Sequence, residues 1–312
     1  MSTANIEATN SIMVLGTGEL GMEVLRHLAD QTKGRPGFRL SAMVRTPPAN
    51  TISQTKQHEL DTLASWGVDL VEGDIVAVSQ QELSDLVSPY DTVISCIGFS
   101  AGSGTQVKIT RAVLDAGVSR YIPWQFGVDY DAIGRGSAQD VFDEQLDVRD
   151  LLRGQNNTEW LIIATGMFTS FLFDPSFGIV DLDNNVVHAL GSWENQVTVT
   201  TPEDIGRLTA EILLFEPRLT NQVVFVAGDT LSYGELADKV DQVLHRLVRR
   251  EVWSIPYLES ALAASQNDNL LKYRAVFAAG VGVAWPMEDT FNARQGIETT
   301  DVSKWIQQHL ML

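Results

Sequence analysis

The chain has 312 residues, of which 44% are hydrophobic and 20% charged, and its formal net charge at pH 7 is −18. This length and composition indicate a globular protein with a large core and exclude a disordered chain. The acidic balance argues against binding to nucleic acids, because phosphate backbones are held by basic surfaces.

The chain has one cysteine, Cys96, and therefore no internal disulfide, which favours a reducing compartment. The stretch Met1–Ser11 lacks the cationic segment and apolar run of a signal peptide. No apolar run approaches the roughly 20 residues that span a bilayer. We expect a cytoplasmic protein without membrane association, either a monomer or a homodimer.

The first half of the chain alternates apolar strands with amphipathic helices. Apolar residues recur at helical spacing from Val107 to Ala116 and from Phe142 to Leu152. Such alternation predicts a parallel sheet that is covered on both faces. The strand candidates are Ile12–Gly16, Arg39–Arg45, Asp69–Glu72, Thr92–Gly98, Arg120–Phe126 and Glu159–Gly166.

The second half changes in texture. Strands are predicted at Val186–Ala189, Gln196–Thr200 and Val223–Ala227, and helices from Thr201 and over Ser232–Val248. We therefore expect an α/β protein with two parts. A doubly wound Rossmann domain with a parallel sheet covers residues 1–166, and a smaller, interleaved α/β substrate region covers 167–312 and partly returns to the Rossmann sheet.

A glycine motif follows the first strand candidate. The residues Gly16-Thr17-Gly18-Glu19-Leu20-Gly21 fit G-x-G-x-x-G between a strand and a helix. Gly16 permits a tight turn, Gly18 lets the backbone approach a pyrophosphate, and Gly21 lets helix and strand pack closely. We expect these six residues to bind a dinucleotide at the positive end of the helix dipole.

The end of the second strand predicts which dinucleotide binds. NAD sites usually place an acid there, whereas this strand ends in Arg45, followed by Thr46. An arginine can pair with a 2′-phosphate, and Lys56 adds a second positive charge. The sequence therefore predicts NADPH or NADP⁺ as the cofactor.

Four later segments resemble the NmrA-like and isoflavone-reductase-like proteins, which are atypical short-chain dehydrogenases. The segments are Arg120–Gly127, Phe142–Arg149, Thr165–Phe168 and Thr201–Gly206, and the fungal NmrA-like oxidoreductases are the most similar type. The resemblance implies NADPH binding, a Rossmann domain and a cleft that faces a small C-terminal region. It also implies reduction of phenolic or other aromatic secondary metabolites.

The chain departs from that family where the family has its catalytic lysine. Val141 and Gln145 stand in the Tyr and Lys places of the matching helix, and Trp124 replaces a serine. A glutamine amide donates hydrogen bonds but does not shuttle a proton at neutral pH. Gln145 is either a half-buried residue that bonds the cofactor ribose or the backbone, or a group that acts directly in catalysis.

The resemblance also predicts the remaining site residues. Gly98, Phe99, Gln125, Gln145, Met167 and Phe168 are expected to lie beside the cofactor. Tyr130 and Asp129 are candidate proton donors, with a turn-capping role as the alternative. Aromatic side chains suit an apolar substrate, with core packing as the alternative. The expected substrate residues are Trp124, Phe126, Phe168, Phe171 and Phe173, and no metal site is expected.

Three functions fit these observations. The first is an NADPH-dependent oxidoreductase that acts on an apolar, aromatic metabolite. The second is a non-redox enzyme for cyclisation, isomerisation or condensation that needs NADP(H) to shape its pocket. The third is a regulator that senses NADP(H) and binds a protein partner. The missing lysine keeps the second and third alternatives open, and the sequence does not name the substrate.

Overall fold

The computed structural model of the chain describes residues 10–45 and 53–311. Its contacts divide these residues into two compact units whose segments alternate along the chain. The first unit holds the described residues up to Trp124 together with Asp147–Ile162 and Gly206–Val223. The second unit holds Gln125–Leu146, Ile163–Ile205 and the described residues from Val224 onward. The division at residue 166 stays a prediction about which part of the chain binds substrate.

The two kinds of element alternate through the first half of the chain. The strands are β1 (Asn10–Leu15), β2 (Phe38–Val44), β3 (Asp69–Glu72), β4 (Thr92–Ser95), β5 (Arg120–Ile122), β6 (Glu159–Ala164), β7 (Met167–Phe168), β8 (Val180–Asp181), β9 (Val186–Leu190), β10 (Gln196–Thr200), β11 (Gln222–Phe225), β12 (Asp229–Ser232) and β13 (Arg249–Trp253). The helices are α1 (Glu19–Thr32), α2 (Gln54–Ser65), α3 (Gln80–Val87), α4 (Thr105–Asp115), α5 (Tyr130–Ile133), α6 (Val141–Arg153), α7 (Pro202–Leu213), α8 (Tyr233–Leu244), α9 (Ile255–Ala264), α10 (Asn269–Ala279), α11 (Phe291–Arg294) and α12 (Val302–Leu310).

A seven-stranded sheet has the order β3-β2-β1-β4-β5-β6-β11. The five strand pairs from β3 to β6 are parallel. The strand order reverses between β1 and β4, which is the switch point where doubly wound sheets bind ligands beyond the carboxyl ends of their strands. The predicted doubly wound α/β fold is confirmed.

Apolar side chains from strands and helices form the core of the first unit. Leu15 of β1, Val93 of β4, Ile109 of α4, Leu152 of α6 and Ile162 of β6 are all buried in one cluster. Both ends of this sheet's central strands are therefore fixed by packing. Burial of each such side chain contributes about 1.5–3 kcal/mol relative to exposure.

The predicted strand β4 is shorter than its apolar run. The sequence predicted Thr92–Gly98, but the strand ends at Ser95. Beyond it, the carbonyl oxygen of Ile97 accepts a hydrogen bond of 2.8 Å from the side chain of Gln106 in place of a neighbouring strand. The chain leaves the sheet here and turns towards the cavity described below.

The second unit contains two three-stranded sheets, with orders β12-β10-β7 and β13-β9-β8. β10 pairs antiparallel with β12 and parallel with β7. β9 pairs parallel with β13 and antiparallel with β8. Asn292 fixes the chain after β11, because its side chain both accepts from and donates to the backbone of Ala227.

The helix predicted over Ser232–Val248 is wrong at its C-terminal end. α8 ends at Leu244, and His245 has a left-handed φ of 53° that stops the helix. Leu247 was predicted on the buried face but is 82% exposed. The next residues form the strand β13, which the helical spacing of apolar residues concealed.

Candidate functional site

The turn between β1 and α1 has the geometry that the glycine motif predicts. Gly16 has a φ of +94°, which side chains other than glycine rarely adopt. A Cβ on Gly21 would lie 2.1 Å from the carbonyl oxygen of Gly16, so only glycine lets α1 approach the turn. A Cβ on Gly18 would meet nothing within 4 Å. The turn is therefore packed at Gly21 and open at Gly18.

A cavity of about 750 Å³ lies beside this turn in the first unit. It is bounded by the chain after the carboxyl ends of β1, β2 and β4, as expected at the switch point of a doubly wound sheet. Its lining residues include Gly16, Thr17, Gly18, Met43, Arg45, Lys56, Glu59, Asp74, Cys96 and Gly98. Burial raises the pKa of the Cys96 thiol far above its usual range, so this lining cysteine stays protonated.

The two predicted cations both line the cavity. Arg45 is an exposed side chain whose Nη1 lies 3.7 Å from Asp74 Oδ2. Lys56, in the first turn of α2, donates from Nζ to Glu59 Oε1 at 2.6 Å. Thr46, which was also predicted to bind the cofactor, lies outside the described residues. Arg45 and Lys56 can therefore hold an anionic group, and each already faces a carboxylate.

The remaining predicted residues of the first turn of α1 differ in exposure. Glu19 is exposed, whereas the side chain of Leu20 is buried in the core. Leu20 can therefore offer only its backbone N–H to a ligand. Glu19 places a negative charge beside the positive end of α1, where it stabilises the helix.

Gly98 and Trp124 are neighbours within the first unit. A Cβ on Gly98 would lie 3.1 Å from Trp124 Cζ2, so the indole covers this glycine closely. Phe99 follows in a short 3-10 turn over Phe99–Ala101. The structure thus places the predicted substrate residue Trp124 against a residue that lines the cavity.

Gln125 and Gln145 form a buried amide pair in the second unit. Gln125 Nε2 donates to Gln145 Oε1 at 2.8 Å and to the backbone carbonyl of Gln145 at 2.9 Å. The sequence predicted a half-buried Gln145, but the residue is completely buried. Its Nε2 group is buried without a hydrogen-bond partner in the structure. Because Gln125 occupies the oxygen, the pair presents a donor.

The two candidate proton donors lie in the loop after Gly127. The carboxylate of Asp129 caps α5 by accepting from the backbone N–H groups of Asp131 and Ala132 at 3.2 and 3.4 Å. Tyr130 is buried, with its hydroxyl oxygen close to Gly127 and its ring in edge contact with Phe142. Asp129 therefore serves as the helix cap that the sequence left open as an alternative.

The turn before β7 is held firmly. Gly127 O accepts hydrogen bonds of 2.9 Å from the backbone N–H groups of both Thr165 and Gly166. Gly166 has a φ of +70°, and a Cβ there would lie 2.1 Å from the carbonyl oxygen of Thr198. This turn fixes the backbone of Met167, which is buried, and of Phe168, which is partly exposed.

The predicted aromatic substrate residues do not form one cluster. Phe171 stacks on Phe177 at 4.5 Å and meets Tyr273 edge-on. Phe173 instead stacks on Trp305 of α12 at 4.6 Å. Phe126 is buried with 5% of its surface exposed. Core packing thus accounts for Phe126, and Phe171 and Phe173 belong to different aromatic groups.

The sequence did not single out Tyr273. Its ring contacts both Phe142 of α6 and Phe171, and burial with the charge of Asp140 raises its pKa to about 12. The hydroxyl therefore remains protonated at neutral pH. Tyr273 lies on α10, more than a hundred residues from these partners, so no local spacing could have indicated the group.

Two absences apply to the parts of the chain that the structure describes. Residues 10–45 and 53–311 contain no cluster of three or more His, Cys, Asp or Glu side chains placed to hold a metal ion. Within the same ranges, no helix has the length and apolar character required to cross a membrane.

Comparisons with known proteins agree on one family. A family model described as the NmrA-like family matches residues 8–298. The chain is 45% identical over 301 residues to an NmrA-like family domain-containing oxidoreductase of Gibberella moniliformis, across 96% of this chain and 98% of that protein.

Two solved structures share the fold. The crystal structure of isoflavone reductase has a TM-score of 0.78 at 21% identity, over 96% of this chain and 99% of that one. The binary complex of leucoanthocyanidin reductase with NADPH from Vitis vinifera has a TM-score of 0.79 at 18% identity, over 97% and 100%.

Proposed function

The chain belongs to the NmrA-like family, and from that premise we propose that it is an NADPH-dependent oxidoreductase of the isoflavone-reductase type. The observation that carries this proposal is the cavity of about 750 Å³ beside the glycine turn. Its open face at Gly18 leaves room for a pyrophosphate, and its wall includes the cations Arg45 and Lys56. These residues fit a phosphorylated dinucleotide.

Each part of the turn has a separate task in binding. The backbone N–H groups at Gly18 and the start of α1 donate hydrogen bonds to phosphate oxygens, supported by the helix dipole. Arg45 and Lys56 hold the 2′-phosphate by charge-assisted hydrogen bonds. When bound, NADPH supplies a hydride from its nicotinamide ring.

We propose an apolar, aromatic metabolite as the substrate. Support comes from the second unit, in which Phe171 and Tyr273 offer aromatic surface and Phe168 is partly exposed. The names of two structures with the same fold, isoflavone reductase and leucoanthocyanidin reductase, also denote reductases of aromatic compounds. Aromatic side chains suit such ligands because they offer large, rigid apolar faces.

Gln145 carries the proposed polar contact to the substrate. Its buried Nε2 donates a hydrogen bond to a substrate oxygen that gains negative charge, and Gln125 holds the amide in this orientation. An amide supplies no proton, so the proton comes from solvent or another side chain. Tyr130 and Tyr273 both carry protonatable hydroxyls in this unit, and Asp129 is engaged as a helix cap.

A non-redox reaction is the second candidate, favoured by the amide in place of an ionisable side chain at position 145. In that case NADP(H) shapes the pocket, and the substrate is converted without a change in oxidation state. A sensor of NADP(H) would require the same cavity and convert nothing. The three functions are separated by whether deuterium from labelled NADPH reaches a product.

The cofactor assignment is tested with Arg45→Ala. We expect this change to weaken NADPH binding about ten-fold, because one charge-assisted contact to the 2′-phosphate is lost. NADH, which lacks that phosphate, should bind almost as before. Calorimetric titration of both nucleotides measures the effect, and equal losses for NADPH and NADH would contradict the assignment of Arg45.

A further inference from the structure

An acidic side chain lies inside the dinucleotide cavity, against the groups that would hold a phosphate. Glu59 lines the cavity, and its Oε1 accepts from Lys56 Nζ at 2.6 Å and also from the hydroxyl of Thr17. Thr17 belongs to the glycine turn, so one carboxylate links α2 to that turn. The side chains of Lys56 and Glu59 are only 20% and 22% exposed.

The burial of this pair decides how strongly the two charges interact. Arg45 is 77% exposed and lies 3.7 Å from Asp74, so solvent screens that pair and it contributes little. The Lys56–Glu59 pair is shorter and more buried, so its charges are screened less. A 2′-phosphate that approaches Lys56 therefore meets a cation that Glu59 already neutralises.

The charges of the described lining residues balance. Arg45 and Lys56 contribute two positive charges, and Glu59 and Asp74 two negative ones. A carboxylate at the adenosine end of a Rossmann cavity is also the group that accepts hydrogen bonds from the free ribose hydroxyls of NAD. The cavity thus combines cations suited to NADPH with an acid suited to NADH.

We propose that Glu59 determines the cofactor preference of this cavity and gives it a weak preference, so that it accepts NADH alongside NADPH. The proposal rests on the proposed function, since it assumes that the cavity takes a nicotinamide dinucleotide. Glu59 lowers the affinity for the 2′-phosphate by repulsion and by engaging Lys56. It supports the unphosphorylated ribose by accepting its hydroxyl groups.

The test is the ratio of the dissociation constants for NADH and NADPH, measured by calorimetric titration of the full chain without substrate. For the wild-type protein we expect a ratio within about ten-fold, a difference of one charge-assisted contact. Glu59→Gln should raise this ratio about ten-fold, since the amide keeps the size of the side chain and loses its charge. Glu59→Ala, which also removes the contact with Thr17, should shift the ratio in the same direction.

Asp74→Asn is the matched control, because it removes an acid from the same cavity at an exposed pair. We expect it to change the ratio by less than about two-fold. An unchanged ratio in both Glu59 variants, or a wild-type ratio above about a thousand-fold, would overturn the role of Glu59 while leaving NADPH binding intact. Wild-type protein that binds neither nucleotide would overturn the proposed function and this inference with it.

Discussion

Gln145 holds its side-chain amide in complete burial, with the oxygen fixed by Gln125 and the nitrogen unpaired. A buried donor without an acceptor costs about 1–3 kcal/mol. A ligand oxygen that accepts from this group would remove the cost on binding. The residue therefore favours a bound state over the free one, which is a property of binding and catalytic sites.

We expect Gln145→Leu to separate stability from catalysis. The change removes the unpaired donor at similar volume, so the melting temperature should stay the same or rise. Turnover of a substrate should fall about 10²-fold in kcat/KM, as when one donor to a developing oxyanion is removed. Thermal unfolding and steady-state kinetics measure the two effects.

Gln139→Leu provides the control for Gln145, because Gln139 is another completely buried glutamine close to the start of α6. Its Nε2 donates to the carbonyl of Asn269 at 3.4 Å, so its loss should affect stability and spare turnover. A Gln145→Leu protein that melts several degrees lower yet retains full kcat/KM would assign the amide a purely structural role.

Single residues were predictable from the sequence where a local motif determines their geometry. The glycines at 16 and 21 occupy the turn and close approach that G-x-G-x-x-G implies. Glu59 was not predictable, because three positions after Lys56 on a helix it resembles an ordinary surface pair. Its second partner, Thr17, is 42 residues away in sequence. Only the folded chain brings the two together.

At the scale of elements, the start of α1 allows a matched pair of substitutions. Gly21→Ala places a Cβ 2.1 Å from the backbone oxygen of Gly16, so the helix must move away from the turn. We expect a loss of about 2–4 kcal/mol of stability, typical of severe overpacking. NADPH binding should be lost as well, because the turn is displaced.

Gly18→Ala is the partner of that change, since its Cβ meets nothing within 4 Å. Its melting temperature should match the wild type, while NADPH binds more weakly because the methyl group faces the phosphate region. Thermal unfolding with titration of NADPH compares the two variants. Equal stability of Gly21→Ala and Gly18→Ala would refute the packing argument for the turn.

Elements of the first half follow from the sequence because their apolar strands and amphipathic helices differ in period. Their ends do not, as β4 shows, since the side chain of Gln106 decides where the strand stops. In the second half, the helical spacing of Leu236, Val240, Val243 and Leu247 extends one residue set too far. The left-handed turn at His245 depends on folded context and leaves no clear signal in the sequence.

The whole molecule carries a net charge of −18 at pH 7, so its folded state is under electrostatic self-repulsion. The Debye length falls from about 30 Å at 0.01 M salt to about 8 Å at 0.15 M. We expect the melting temperature at pH 7 to rise by a few degrees across this range of sodium chloride. A melting temperature that falls instead would show that attractive ion pairs outweigh the repulsion.

At this scale the sequence predicted the fold class and the family, because strand order, glycine turn and four motif segments agree. It placed one boundary at residue 166, whereas the contacts assign Gln125–Leu146 to the second unit and Asp147–Ile162 to the first. Such interleaving depends on long-range contacts, to which local spacing is blind. The aromatic group around Tyr273 is undetected from sequence for the same reason.

The most direct test of the account is to incubate the purified protein with a metabolite extract and NADPH deuterated at C4, on each face in turn. Mass spectrometry then follows the label. The account predicts deuterium from one face in an aromatic product, and loss of that product with Gln145→Leu. Conversion of a metabolite without label, dependent on NADP(H), would contradict hydride transfer and favour the non-redox reaction.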